Sequence, residues 1–89
     1  MSKFNCEYVL KSELDMERLV ERARMIDLGE LSLSLGITAA ACSCYLSTKE
    51  RYRGVRVPLD FVDEVIRRSR DVMDRREGRI RELNEKLKN

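Results

Sequence analysis

The sequence predicts an all-α protein, a small helical bundle that ends in a long C-terminal helix. Three observations carry that reading. The 89 residues are 43% hydrophobic and 38% charged, with five aromatic residues and no Trp, too few β-branched and aromatic runs for a sandwich or barrel. Apolar residues recur at helical spacing from Leu14 to Ile26 and again from Leu59 to Leu87. Side chains suited to starting a helix, Ser12, Asp27 and Thr38, stand before the apolar runs, and Gly36 stands where one must stop.

The elements follow in order. The first ten residues, with Phe4, Tyr8, Val9 and Leu10, form either a short strand or a packed arm. Ser12 before Glu13-Leu14-Asp15 is an N-cap with acids in the first turn, so a first helix is expected over roughly 13–26. Asp27 with Glu30 three residues on is a capping box and opens a second, short helix from Leu28 to Leu35. Gly36 turns the chain, and Thr38 caps a third helix from Ala39 to about Leu46. Gly54 to Val57 reads as a loop or short strand. Pro58 is then expected at the first position of a fourth helix.

Charge is uneven along this frame. Residues 1–50 carry a net −2 and residues 51–89 a net +4. The densest excess is Lys49, Arg51, Arg53 and Arg56, opposed only by Glu50. Arg presents a planar fork of donors suited to phosphate oxygens and guanine edges.

There is no His. That removes imidazole bases and the Ser/His and Cys/His nucleophilic arrangements, so an enzyme is not expected. Three Cys, two of them as Cys42-x-Cys44, fall short of a zinc ligand set, and no metal or cofactor is expected. An odd Cys count and the lack of a disulfide framework place the chain in a reducing cytosol. The least polar stretch, Leu35 to Leu46, is too short to span a bilayer, and the first residues do not read as a secretory signal.

The run Leu31-Ser32-Leu33-Ser34-Leu35-Gly36-Ile37-Thr38-Ala39-Ala40-Ala41-Cys42-Ser43-Cys44-Tyr45-Leu46 resembles the helix-turn-helix of phage-repressor-like (lambda-repressor-like) DNA-binding domains. Leu31 and Leu35 supply the inner face of the first arm, and Ser32 is small where the second arm crosses. Gly36 makes the turn, Ile37 plugs the angle, and Cys42 with Tyr45 or Leu46 fills the inner face of the second arm. The resemblance implies that the second arm enters the major groove of duplex DNA. Its base contacts would be Thr38, Ala39, Ala40, Ser43 and Cys44, with phosphate contacts from Ser47, Lys49, Arg51, Arg53 and Arg56. The function implied is a repressor-like transcriptional regulator acting on double-stranded DNA.

Three variants stay open at this level. Residues 51–57 can form a small wing, as in excisionase-like domains. The segment from Arg53 to Pro58 followed by a helix also resembles ribbon-helix-helix proteins. The plain outward face of the second arm fits a protein-binding adaptor or antirepressor, whose partner would be another protein.

The fourth helix repeats apolar residues every seven positions, at Leu59, Ile66, Met73, Ile80 and Leu87, with Val62, Ser69, Arg76 and Leu83 between them. Such a narrowing seam predicts pairing with a second helix. The expected organisation is a helix-turn-helix domain over 1–69 and a helical extension over 70–89. A homodimer would form through Met73, Ile80, Leu83 and Leu87.

Overall fold

The computed structural model describes residues 7–88. Three short helices begin where a side-chain oxygen accepts one of the first backbone N–H groups. Asp15 Oδ1 accepts from Arg18 N at 3.3 Å and opens α1, Met16–Ala23. Asp27 Oδ1 accepts from Glu30 N at 3.2 Å and opens α2, Leu28–Leu35. Thr38 Oγ1 accepts from Ala41 N at 3.0 Å and opens α3, Ala39–Leu46. The caps at Asp27 and Thr38 are those expected from sequence, except that Glu30 does not return a side-chain bond to Asp27 N, so the expected capping box is only half formed. The first helix is shorter than the expected 13–26, because Ser12 does not cap it. Residues Lys11–Glu13 form a 3-10 turn instead, closed by Glu13 Oε2 accepting from Leu10 N at 2.9 Å.

Between α2 and α3 the chain turns at Gly36, whose φ of 71° and ψ of 32° lie in the left-handed region. Ile37 N donates to Ser32 O at 2.9 Å, the 6→1 bond that closes a Schellman-type end and uses a free carbonyl of the last turn.

The opening ambiguity resolves as a strand. β1, Tyr8–Leu10, pairs antiparallel with β2, Arg56–Pro58, in the register Tyr8–Pro58, Val9–Val57 and Leu10–Arg56. Phe4 lies outside the described residues. Residues 51–57 therefore do not make a wing. Glu50–Tyr52 form a second 3-10 turn, and the strand that follows finds its partner 48 residues upstream rather than in a local hairpin. Pro58 ends β2 and stands at the N-cap of α4, Leu59–Leu87, one position before its expected place. Its missing N–H costs nothing there, and Leu59 N continues the ladder by donating to Glu7 O at 3.0 Å. α4 runs unbroken through Arg67–Arg76, so the two-helix arrangement of a ribbon-helix-helix protein is not present. The boundary expected at 69/70 falls inside this single helix.

The core is built on the first half of α4. Phe61 and Val65 bury against Leu19 and Ala23 of α1, Leu31 of α2, Cys42 of α3 and Val57 of β2, with Leu35, Ile37, Tyr45 and Leu46 packed around them. The Tyr45 and Phe61 rings meet at 5.2 Å with a 58° tilt, a favourable aromatic geometry. Ser69 is fully buried. Its Oγ accepts from Arg22 Nη1 at 3.1 Å and donates to Ile66 O at 3.1 Å, tying α1 to α4. Beyond this point α4 leaves the body, and every residue from Asp74 to Lys88 is exposed. At 1.5 Å per residue its 29 residues span about 43 Å. The longest dimension of the molecule is 54 Å. Among the described residues no helix is long and apolar enough to cross a membrane.

Two outcomes follow. Nothing lies within 4 Å of a Cβ built on Gly36, so Gly36→Ala is penalised by backbone strain alone. Denaturant unfolding should show a loss of about 1 kcal/mol. Glu64, on α4, accepts from Arg67 and, at 3.0 Å, from Arg68 Nε. The hydrogen bond from Arg67 is the main cause holding its carboxyl below the usual value of 4.5, and that from Arg68 adds to it. The stabilisation is therefore complete above 4.5 and is lost as pH falls through the lower folded-state value. The melting-temperature gap between wild type and Glu64→Gln should narrow in acid.

Candidate nucleic-acid interface

The candidate interface is α3 and the segment after it. α3 turns Cys42 into the core at 4% exposure and leaves Thr38, Ala39, Ala40 and Ser43 in solvent. Burial pushes the Cys42 thiol above its usual pKa, which leaves it a poor nucleophile. Leu31, Ser32, Ile37 and Cys42 occupy the inner positions anticipated for them. Ser32 Oγ donates to Gly29 O at 2.8 Å, so this small buried residue is satisfied at the crossing.

Two of the expected contact residues are less available than the pattern implied. Cys44 is half-buried rather than outward-facing, because the N-terminal segment packs over the end of α3. Ser47 is half-buried as well. Its Oγ accepts from Lys49 N at 3.2 Å, and its carbonyl is already engaged. The exposed face of α3 is thus Thr38, Ala39, Ala40 and Ser43. Small and uncharged, it reaches outward only through one hydroxyl on Ser43 and one on Thr38, whose oxygen also serves as the cap.

The four cations after α3 are all exposed, but they do not share one place. Lys49 and Arg53 line one hollow of about 440 Å³, together with Ser47 and Thr48 on their own side and Lys11 and Ser12 opposite. Arg51 stacks its guanidinium over the Tyr52 ring at 4.9 Å, which orients it outside that hollow. Arg56 sits on β2 opposite Leu10, on the exposed side of a strand whose next residue, Val57, is buried. A second hollow of about 370 Å³ runs beside α3, lined by Leu28, Gly29, Ala39, Ser43 and Leu46, and Ser47 lines both. The α3 face and the Lys49/Arg53 hollow therefore adjoin at Ser47.

Lys11 is the residue that sequence reasoning missed. It is only 7% exposed, and its Nζ donates to Cys44 O at 2.5 Å and to Ser47 O at 2.7 Å. An ammonium there satisfies carbonyls left open at the end of α3 and complements the negative end of its dipole. Desolvation lowers its pKa from the usual value, as expected for a cation removed from water. No local pattern announces this contact, since the partners lie 33 and 36 residues away.

The expected pairing seam divides in two. Ile80, Leu83 and Leu87 are 48%, 43% and 81% exposed on the free half of α4. Met73 is half-buried beside α1, sharing a hollow with Arg22 and Met25, and belongs partly to the body.

Lys11→Met keeps the aliphatic stem and removes the ammonium, leaving two carbonyls without their donor. Urea unfolding should show a loss of about 2 kcal/mol, the range for hydrogen bonds from a charged group. No family model, curated protein or solved structure matches the chain.

Proposed function

We propose that the protein is a sequence-specific, double-stranded DNA-binding transcriptional regulator of repressor type, acting as a homodimer and working in the cytoplasm. The observation that carries this reading is the pair α2 and α3, bent at a left-handed Gly36, with the outer face of α3 free and the cations Lys49 and Arg53 beside it. In this reading α3 lies in the major groove. Thr38 and Ser43 meet base edges, and Ala39 and Ala40 touch thymine methyl groups. Lys49, Arg51, Arg53 and Arg56 meet phosphates. An outward face without Arg, Asn or Gln gives modest direct discrimination, so part of the specificity comes from DNA shape. The stripe Ile80, Leu83 and Leu87 joins two copies and presents two α3 helices to an inverted repeat.

One observation favours a second reading. The exposed face of α3 carries no charge, which suits a protein partner as well as a groove, and an adaptor or antirepressor would use it so. Selection from random duplexes at low salt, read alongside solution mass in the same buffer, separates the two. Enrichment of an inverted repeat is the expected result for the regulator, and absence of duplex retention selects the adaptor. With duplex bound, replacing Arg51 and Arg53 together by Ala should weaken binding to all sequences alike. The slope of log K against log salt should fall by about 2, roughly 0.9 for each phosphate contact removed.

A further inference from the structure

We propose that the hollow between the N-terminal 3-10 turn and the segment 47–53 is a seat for one sugar-phosphate unit of duplex DNA, with Ser12 and Thr48 as phosphate ligands beside Lys49 and Arg53. The proposal rests on the DNA-binding reading above and adds to it a defined site, built partly from a segment outside the α2–α3 pair.

Four residues that carry donors of the right kind line this one hollow. Lys49 and Arg53 bring an ammonium and a guanidinium, and Ser12 and Thr48 bring hydroxyls. All four residues are exposed, and among the described residues neither hydroxyl has a side-chain partner. A phosphodiester offers two charged oxygens that accept from such a set. The remaining lining is Met16, Lys11 and Ser47, and most of the lining surface is apolar, so carbon stems as well as polar groups wall the hollow. A free ion leaves such a wall and most of the roughly 440 Å³ unused. A deoxyribose attached to the phosphate covers that wall and takes up more of the space. Because Ser47 also lines the hollow beside α3, a backbone held here runs along the edge of the groove that α3 would enter.

The two sides of the seat come from distant parts of the chain, and Lys11 joins them. Its ammonium bonds to the carbonyls of Cys44 and Ser47 hold Ser12, the next residue, across from Thr48 and Lys49. Arg51 and Arg56 lie outside the hollow, and Arg56 serves as the internal control.

The test follows backbone amide NMR of the full chain during titration with a non-specific duplex and, separately, with inorganic phosphate. Salt slopes are measured for the wild type, Lys49→Ala/Arg53→Ala and Arg56→Ala. Saturating duplex should shift Ser12, Thr48, Lys49 and Arg53. The double variant should lose about 2 from the salt slope and Arg56→Ala about 1, with α4 amides unchanged in both as a check on folding. Duplex binding that leaves Ser12 and Thr48 unmoved, or a double variant with the wild-type slope, overturns the seat while the DNA-binding reading stands. Inorganic phosphate shifting the same four amides without duplex binding supports a phosphate site and overturns its duplex source, along with the reading it rests on. No shift with either probe overturns both.

Discussion

Among the described residues no helix other than α4 exceeds eight residues, and helices of that length are unstable in water on their own. Each of the three short ones persists because it lays an apolar side chain against the same stripe of α4. Leu19 and Ala23 of α1 and Leu31 of α2 close on Phe61 and Val65, and α3 adds Cys42 and the tilted Tyr45 ring. Full burial of side chains such as Phe61 and Val65 is worth about 1.5–3 kcal/mol each. The first eleven residues of α4, from Leu59 to Ser69, are thus the platform on which the angle between α2 and α3 is held.

The molecule uses polar bonds where this platform ends. Ser69 is the last fully buried residue of α4, and Arg22 reaches in from α1 to hold it. Lys11 does the same at the end of α3. Removing a cation from water is costly, and two carbonyl acceptors offset that cost at the place where an eight-residue helix has free carbonyls to offer. The same bond fixes the N-terminal segment over the basic turn, so the geometry of the exposed cations depends on a residue that is itself almost hidden.

Local chemistry made much of this legible in the sequence. Asp27, Thr38 and Gly36 act on residues within five positions of themselves, and each behaves as its side chain and backbone preferences dictate. The inner positions Leu31, Ser32, Ile37 and Cys42 were readable for the same reason. Ser12 failed as a cap because Asp15 offered a competing acceptor three residues later, with Glu13 closing the intervening 3-10 turn. The β1–β2 pair and the Lys11 bonds were not readable, since three-residue strands carry little periodicity and their partners are set by the fold. The basic cluster was visible as charge, but its division between the hollow, the Tyr52 ring and the edge of β2 depends on backbone directions that composition does not encode.

The placement of the platform late in the chain has a consequence for how the protein is made. During synthesis β1 and the three short helices leave the ribosome ahead of Phe61–Ser69, the surface that receives them. Until then the nascent segment has its caps and its glycine turn but no surface to bury Leu19, Leu31 or Cys42. Acquisition of the native form is therefore held back until Phe61–Ser69 has followed them out.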